Sequence, residues 1–396
     1  MQVKRFEKSP VGRLVPIVVE EAGEQVRHVA FVPNPLPENI ELSPEAWAAA
    51  IDSSHHLGRL DAIAKELLPN PTLLSRPTIR REAVSTSALE GTFAPAAEVL
   101  TSEVDTDRPR SQAVVEILNF INATERGIEL LATLPVCLRM ACELQSILVK
   151  GTSSEDWQAG KVRATQVIIG PYKGCGVKEA SFIPPPPGAE LTIGLAEWEA
   201  WTHNATQLHA VVRIALAHYQ FEALHPFTDG NGRIGRLIAI LQLMEFGLLS
   251  QPLINLSPFF EAHDDKYRHL LREVSAVGAF EAWVVFFCQG LKAQAKDAEA
   301  RIRDLLGWRD ASLAMLKSKR VKGVALDVTA KLIEFPTVTV RSVAEFHKVS
   351  NQAANGAVNR LVELGVLEEA TGRSYSRVFQ APAVLDIMFR PTRASD

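Results

Sequence analysis

One polar segment near the middle of the chain combines residue types that could bind an anion and move a proton. It reads His225-Pro226-Phe227-Thr228-Asp229-Gly230-Asn231-Gly232-Arg233-Ile234-Gly235-Arg236. Apolar residues recur at helical spacing on both sides, which predicts a loop between two helices that ends where the second begins. Glycines allow a left-handed backbone, and the first N–H groups of a helix attract negative charge. We therefore expect the N–H groups of Gly230, Asn231 and Gly232 to converge on an anion as a nest.

The charged side chains of this segment indicate that the anion is a polyphosphate. Arg233 and Arg236 are three residues apart, so both are expected on one helix face within reach of phosphate oxygens. Asp229 would repel a phosphate unless a cation lay between them, which indicates Mg²⁺ bound by one carboxylate and by phosphate oxygens. His225 could take a proton from an incoming hydroxyl. Taken singly, each feature also has a plain explanation as a turn, a helix cap or a solvated helix face.

Taken together, residues 225–236 resemble the signature of the Fic family (filamentation induced by cAMP), His-Pro-Phe-x-Asp/Glu-Gly-Asn-Gly-Arg-x-x-Arg. The resemblance implies a helical enzyme that moves AMP from ATP to a hydroxyl side chain of a protein, with Mg²⁺ as cofactor. It implies that His225 is the general base, that Asp229 holds the metal and that Phe227 packs into the core. It assigns ATP binding to Gly230, Asn231, Gly232, Arg233, Ile234, Gly235 and Arg236.

A second pattern lies upstream, where Thr86, Glu90 and Gly91 match the inhibitory pattern of the same family, Ser/Thr-x-x-x-Glu-Gly/Asn. The sequence predicts a helix from Pro77 through Leu89, with Gly91 as its left-handed C-terminal residue. The resemblance implies that Glu90 pairs with Arg236 and so restrains the activity of its own chain. The alternative is a surface glutamate with no such role.

Two β-hairpins are predicted within the helical pattern. The first covers residues 12–19 and 26–33, which alternate in polarity and precede a helix that begins at Ser43-Pro44. The second is expected over residues 163–185, the region of the family's flap. An open strand edge there could pair with an extended segment of a target protein. A purely structural hairpin is the alternative.

The C-terminal tail has a different rhythm and charge. Its predicted order of a helix, a helix-turn-helix and two strands is that of a winged helix. From Arg301 onward there are 15 Lys and Arg against 10 Asp and Glu, whereas the whole chain has 42 against 46. Side chains suited to base edges and phosphates are Asn351, Gln352, Asn355, Asn359 and Arg360 on the second helix, and Arg373, Ser374 and Arg377 on the wing. DNA is thus one candidate partner, and a module for protein contacts or dimerisation is the alternative.

The predicted fold class is mainly α. A Fic helical core with an inserted β-hairpin flap follows an N-terminal cap and precedes a winged helix. With 396 residues the chain exceeds the ~250–300 at which one core stops growing. The predicted domains are 1–110 (cap, with the inhibitory motif at 86–91), 111–318 (core, with the flap at 163–185 and the motif at 225–236) and 319–396 (winged helix).

The predicted function is a protein adenylyltransferase that acts on a Ser, Thr or Tyr hydroxyl of a target protein or of itself. Three rivals are kept open: removal of AMP, transfer of another phosphate-containing group, and a nucleotide-sensing DNA-binding regulator. The predicted partners are ATP and an unidentified target protein, with DNA and a second copy of the chain as alternatives. No apolar window reaches the length of a membrane span and the N-terminus lacks a secretory signal, so a cytoplasmic protein is expected.

Overall fold

The computed structural model describes residues 1–21, 23–67, 72–105, 109–172, 174–205, 207–373 and 375–392, and these are mainly helical. Within these ranges no helix is both long and apolar enough to cross a bilayer. In chain order the elements are α1 (Val3–Phe6), β1 (Gly12–Glu21), β2 (Glu24–Pro33), α2 (Pro44–Leu67), α3 (Thr72–Leu89), α4 (Ala96–Val104), α5 (Gln112–Leu130), α6 (Leu138–Val149), α7 (Ala189–Asn204), α8 (Ala210–Leu224), α9 (Asn231–Glu245), α10 (Ser257–Ala262), α11 (Asp264–Val277), α12 (Phe280–Ser318), α13 (Val324–Lys331), β3 (Thr337–Thr339), α14 (Val340–His347), α15 (Asn351–Glu363), β4 (Glu368–Glu369), β5 (Val378–Gln380) and α16 (Pro382–Phe389).

The chain folds into two compact units, and each is assembled from separated stretches of sequence. The first unit comprises 1–58, 119–250 and 259–292, and the second comprises 59–118, 251–258 and 293–396. Four of their boundaries fall inside α2, α5, α10 and α12, and the fifth, at 250/251, lies between α9 and α10. The division at 110 and 318 stays a prediction, because the two units are defined by contacts and not by continuous segments.

Helices α8 and α9 form the centre of the first unit and are buried along most of their length. Residues 225–230 connect them, which confirms that the polar segment is a loop between two apolar helices. A Cβ at Gly235 of α9 would lie 2.5 Å from Glu222 Oε1 and 3.2 Å from Phe221 Cδ1 of α8. The glycine therefore allows the two helices to pack closely at the point where the loop leaves them.

The N-terminal hairpin is confirmed. Strands β1 and β2 pair antiparallel in a register that runs from Gly12 opposite Pro33 to Glu21 opposite Glu24. The N–H of Phe31 donates to Ile183 O at 2.8 Å, which joins β2 to the end of the flap segment.

The predicted flap hairpin pairs over a single antiparallel bridge and not along two full strands. Within the described part of residues 163–185 there is one isolated antiparallel bridge, between Ile169 and Phe182, with N–H···O distances of 2.9 and 3.0 Å. Pro171 and the prolines at 184–187 have no N–H to donate to a strand ladder. Lys173, in the predicted turn, lies outside the described residues.

Helix α3 of the second unit starts earlier than predicted. It begins at Thr72, so Pro77 lies inside it and was wrongly placed at its start. A proline inside a helix removes one hydrogen bond and crowds the preceding turn. Burial of Leu73 and Leu74, which are 8% and 1% exposed, offsets that loss through the hydrophobic effect.

The end of α3 agrees with the prediction. Gly91 has φ +83°, the left-handed conformation expected of a residue that follows a helix. Its N–H donates to Ala88 O at 2.9 Å, and the N–H of Thr92 donates to Ser87 O at 2.9 Å. These are the two bonds of a Schellman motif, so the last carbonyls of α3 find donors locally.

The C-terminal elements of the second unit follow the predicted order. Thr339 and Ser342 exchange side-chain and main-chain hydrogen bonds of 2.9 Å at the start of α14, and Ser350 caps α15 by accepting from Ala353 N at 3.2 Å. The three strands pair antiparallel in the order β3-β5-β4. Assignment of these elements to the winged-helix family stays a prediction.

Candidate active site

His225 occupies the end of α8 in a strained backbone conformation. It is half-buried and has φ 51° and ψ 63°, and its N–H donates to Phe221 O at 2.9 Å. A left-handed backbone costs a residue with a Cβ about 1–2 kcal/mol. Two residues later, Phe227 is fully buried with its ring 6.3 Å from that of Phe221, as predicted. The buried ring anchors the loop that carries His225.

The three-residue nest expected at Gly230, Asn231 and Gly232 does not form. Of these residues only Gly230 has a positive φ, +83°, while Asn231 and Gly232 already belong to the first turn of α9. The first bond inside the helix runs from Ile234 N to Gly230 O at 2.9 Å. The N–H groups of Asn231 and Gly232 precede that bond and have no acceptor inside the helix. The candidate anion donors are thus those of a helix N-terminus.

The side chain of Asn231 holds the loop. Its Nδ2 donates to Phe227 O and its Oδ1 accepts from Phe227 N, both at 2.8 Å, and the residue is 2% exposed. Both polar groups of the amide are therefore used on one residue of the loop. The side chain therefore has a structural role, and the main-chain N–H of Asn231 is the candidate donor to an anion.

Asp229 lies between the loop and a neighbouring segment. Its Oδ2 accepts from Ser154 Oγ at 2.6 Å, its Oδ1 lies 3.2 Å from Arg233 Nη2, and its side chain is 29% exposed. Gln145 Nε2 donates to the main-chain oxygen of Asp229 at 3.2 Å, and Gln145 Oε1 accepts from Gly160 N at 2.6 Å. Three contacts thus orient the predicted metal ligand.

The residues of α9 divide into cations and packing residues. Arg233 and Arg236 are 4% and 1% exposed, so neither belongs to a solvated face. Ile234 is fully buried and its N–H is used within the helix. Gly235 faces α8, as described above. The structure thus gives Ile234 and Gly235 packing roles, and their predicted part in ATP binding has no side-chain basis.

The residues near Asp229 are compatible with Mg²⁺ bound largely by a substrate. Among the described residues no group of three or more His, Cys, Asp and Glu side chains could hold a metal ion. Mg²⁺ is commonly held by one or two carboxylates together with substrate phosphates and water. A single, partly exposed carboxylate at Asp229, beside helix N–H donors, fits that donor set.

Three residues that orient the site, Gln145, Ser154 and Arg163, were missed by the sequence analysis. Arg163 is 2% exposed and its Nε donates to His225 O at 2.8 Å, while its own N–H donates to Pro226 O at 2.8 Å. Main-chain acceptors leave no pattern of residue types, so no signal in the sequence pointed to Arg163. The strand-forming residues that follow Arg163 predicted the flap and gave no indication of this contact.

The predicted inhibitory residues all lie at the end of α3. Thr86 is fully buried, whereas Glu90 is exposed in the turn after the helix and Gly91 completes that turn. The pairing of Glu90 with Arg236 stays a prediction.

The C-terminal cations lie partly where the sequence placed them. On the predicted wing, Arg373 pairs with Asp105 at 3.0 Å and Arg377 with Glu369 at 3.4 Å, while Ser374 lies outside the described residues. A separate cleft of about 390 Å³ lies between the end of α12, α13 and α15. The cations that line it are Lys319, Arg320, Lys322 and Arg360.

Comparison with known families and proteins agrees with the predicted family. Residues 47–129 match the profile described as Fic/DOC family N-terminal, and residues 135–243 match that of the Fic/DOC family. A protein adenylyltransferase Fic of Culex quinquefasciatus is 33% identical over 160 residues, 40% of this chain and 27% of that protein. Its namesake in Drosophila melanogaster is 37% identical over 158 residues, 39% of this chain and 27% of that protein. The matched part is therefore under a third of each of these relatives.

Solved structures support the fold. A Fic family protein from Desulfovibrio desulfuricans superimposes with a TM-score of 0.55 and 18% identity, and the match covers 86% of this chain and 97% of that one. Fic-1 from C. elegans gives 0.50 and 19%, over 66% of this chain and 74% of that one. The chain therefore carries a region similar to the Fic/DOC N-terminal region at residues 47–129 and a Fic/DOC domain at 135–243.

Proposed function

We propose that the chain is a protein adenylyltransferase, which transfers AMP from ATP to a Ser, Thr or Tyr hydroxyl of a protein. The observation that carries the proposal is the loop at the start of α9, where His225, a helix N-terminus and two buried arginines, Arg233 and Arg236, follow one another. The names of the relatives support the same reaction. Because the match covers only part of those relatives, the target protein is left undefined.

In the proposed reaction the hydroxyl oxygen of the target attacks the α-phosphorus of ATP. A new oxygen–phosphorus bond forms, the bond to the bridging oxygen breaks, and pyrophosphate leaves. His225 takes the hydroxyl proton as general base. The N–H groups of Asn231 and Gly232 bind the phosphates, and Arg233 and Arg236 neutralise their charge. Positioning and charge neutralisation thus supply most of the acceleration.

Mg²⁺ is proposed at Asp229. When bound, the ion would supply positive charge that neutralises the phosphate oxygens. Ser154 orients the Asp229 carboxylate through its 2.6 Å hydrogen bond. Asp229 Oδ1 also contacts Arg233 of α9. The carboxylate that would bind the metal is therefore held in place before the nucleotide binds.

The proposal is tested with ATP labelled at the α-phosphate and, separately, at the γ-phosphate. Adenylyl transfer places only the α label on protein, whereas phosphoryl transfer places the γ label. We expect His225→Ala to lower α-label transfer by at least about 10²–10⁴-fold, the usual contribution of a general base. ATP affinity should change by less than about threefold, since His225 is assigned to the hydroxyl and not to the phosphates.

A matched control is His269→Ala, which changes an exposed histidine of the same unit, 56% exposed at its side chain. Transfer by this control should equal that of the parent. Undiminished α-label transfer by His225→Ala would overturn the assignment of the base. Absence of α label from protein in both the parent and the Glu90→Gly variant described next would overturn the proposed reaction.

Autoinhibition by Glu90 is part of the same proposal. A carboxylate that pairs with an arginine of the phosphate site would compete with the γ-phosphate for that arginine. We expect Glu90→Gly and Glu90→Gln to raise α-label transfer by about tenfold or more, since 1.4 kcal/mol of competing interaction corresponds to a factor of ten. Glu66→Gln, at an exposed glutamate of the same unit, is the control. Equal rates in all of these variants and the parent would contradict autoinhibition.

Nucleic-acid binding by the C-terminal elements is a second candidate function, favoured by the basic cleft. Lys319, Arg320 and Lys322 are exposed and line this cleft together with Ala353 and Gly356. The single methyl group of Ala353 and the lack of a side chain at Gly356 leave room for a phosphate backbone. Replacing the three cations by alanine should reduce the slope of log affinity against log salt for random duplex DNA by about 2.7, at 0.9 per phosphate contact. An unchanged slope, or no binding by the parent at low salt, would remove this function.

A further inference from the structure

Arg163 is a buried arginine whose side-chain hydrogen bonds, within the described part of the chain, all go to main-chain carbonyls. Its guanidinium donates to His225 O at 2.8 Å, Pro185 O at 2.6 Å, Thr165 O at 3.1 Å and Leu224 O at 3.4 Å. Burial lowers the pKa of Arg163 to about 10, so the group remains charged at neutral pH. A buried charge is normally paired with a carboxylate, and here carbonyl dipoles replace it.

Two of these carbonyls belong to the end of α8. Leu224 is the last residue of the helix and His225 is its cap. The C-terminal end of a helix carries partial negative charge, which favours a cation there. Hydrogen bonds from a charged donor are also stronger than those between neutral groups. These contacts oppose a change of backbone conformation at His225.

The other two carbonyls belong to the ends of the flap segment, at Thr165 and Pro185. A planar guanidinium with five donors can hold several acceptors in a fixed arrangement, which an ammonium group cannot reproduce. One side chain therefore joins both ends of the flap to the backbone of the proposed general base. The left-handed backbone of His225 is strained, and it persists because contacts such as these determine it.

We propose that Arg163 is a positioning residue that holds the His225 imidazole and the flap in one geometry for the incoming hydroxyl. This inference rests on the proposed adenylyl transfer. Arg163 does not touch the reacting atoms, since its partners are main-chain oxygens. It acts through the main chain of His225, because a fixed backbone there limits the positions from which the imidazole can extend.

The first test is kinetic and uses Arg163→Lys, which keeps a positive charge but loses the planar fork. In the Glu90→Gly background we expect the rate constant of α-label self-modification to fall by about 10²-fold, the effect of misplacing a catalytic group by about 1 Å. The KM for ATP should change by less than about threefold. Arg213→Lys is the matched control, because Arg213 Nη2 donates to Thr202 O at 2.7 Å in the same unit. An Arg163→Lys rate equal to that of the control would overturn the inference.

The second test measures hydrogen exchange of the full chain and does not depend on activity. It uses Arg163→Met, in case Arg163→Lys fails to fold. Exchange of the amides of His225 and of Ile169 and Phe182 should accelerate together, whereas helix α7 should exchange as in the parent. Faster exchange in only one of these segments, or in neither, would overturn the positioning role of Arg163. If the parent transfers no AMP, the proposed function fails, and this second measurement still decides the role of Arg163.

Discussion

His218 of α8 illustrates how burial sets the protonation of a single residue in the first unit. Its imidazole lies among aromatic rings, and its Nε2 is hydrogen-bonded to Tyr267 Oη at 2.9 Å. Burial lowers the pKa of His218 to about 3. The ring is therefore neutral at physiological pH and serves the core, although it lies only seven residues before His225 and could be taken for an acid or base.

We predict from His218 that the first unit is sensitive to acid. An unfolded histidine has a pKa of about 6.5, so between pH 6.5 and 3 the unfolded chain binds the extra proton. The free energy of unfolding should therefore fall as pH drops through this window, by about 1.4 kcal/mol per pH unit or about 2 kcal/mol between pH 6.5 and 5. His218→Gln should flatten this dependence by that amount, as measured by denaturant unfolding at several pH values. An equally steep dependence in the variant would contradict the prediction.

At the scale of elements, the two ends of α9 allow a controlled comparison of glycines. Gly230 and Gly247 have φ values of +83° and +72°. A Cβ at Gly230 would lie 2.7 Å from Leu148 Cδ2, whereas one at Gly247 would meet nothing within 4 Å. The first position therefore combines backbone strain with crowding, and the second has backbone strain alone.

We expect Gly247→Ala to lower the free energy of unfolding by about 1–2 kcal/mol, the cost of a left-handed alanine. Gly230→Ala should cost about 1–3 kcal/mol more, because the added methyl also overpacks the core against Leu148. Equal losses would show that Leu148 moves away freely. Thermal unfolding of both variants gives the comparison directly.

Sequence patterns predicted the elements well where the signal was local. The start of α2 at Ser43-Pro44 is confirmed, with Ser43 Oγ accepting from Ala46 N at 3.2 Å, and so is the left-handed Gly91 after α3. The predictions were less accurate where burial, or the lack of N–H donors at proline, outweighed the local pattern. Burial of leucines carried α3 past Pro77, and missing proline donors reduced the flap to one bridge.

At the scale of the whole molecule, α3 and the C-terminal elements belong to one contact unit although they are far apart in sequence. Asp297 of α12 lies 3.3 Å from Arg81 of α3 and accepts from Arg301 at 2.8 Å. Arg81 donates to Thr392 Oγ1 at 3.0 Å and Arg301 to Arg390 O at 2.7 Å. Helix α3, which Glu90 follows, is thus joined to residues 390–392 through buried charged residues of α3 and α12.

Removing the central carboxylate should destabilise this unit strongly. Asp297→Asn leaves two buried guanidinium groups without that negative charge, so we expect a loss of about 3–5 kcal/mol. Asp310→Asn is the control, because Asp310 is 66% exposed beside Arg309 and such pairs contribute about 0–1 kcal/mol. Hydrogen exchange of α3 and α16 should accelerate in the first variant only. Unchanged exchange in α3 would contradict the proposed connection to the tail.

The sequence by itself determined the polar loop between two helices, its similarity to the Fic signature, the N-terminal hairpin and the order of the C-terminal elements. These depend on residue types and spacings within short stretches of chain. Only the tertiary structure decided which groups of the motif face a ligand: Asn231 uses its side chain on Phe227, and Gly235 faces α8. It alone brought Arg163 to carbonyls that are 2, 22, 61 and 62 residues away along the chain. The physical reason is that every residue carries the same main-chain carbonyl. Which carbonyls a side chain meets is therefore set by the path of the folded chain and not by the types of the partner residues.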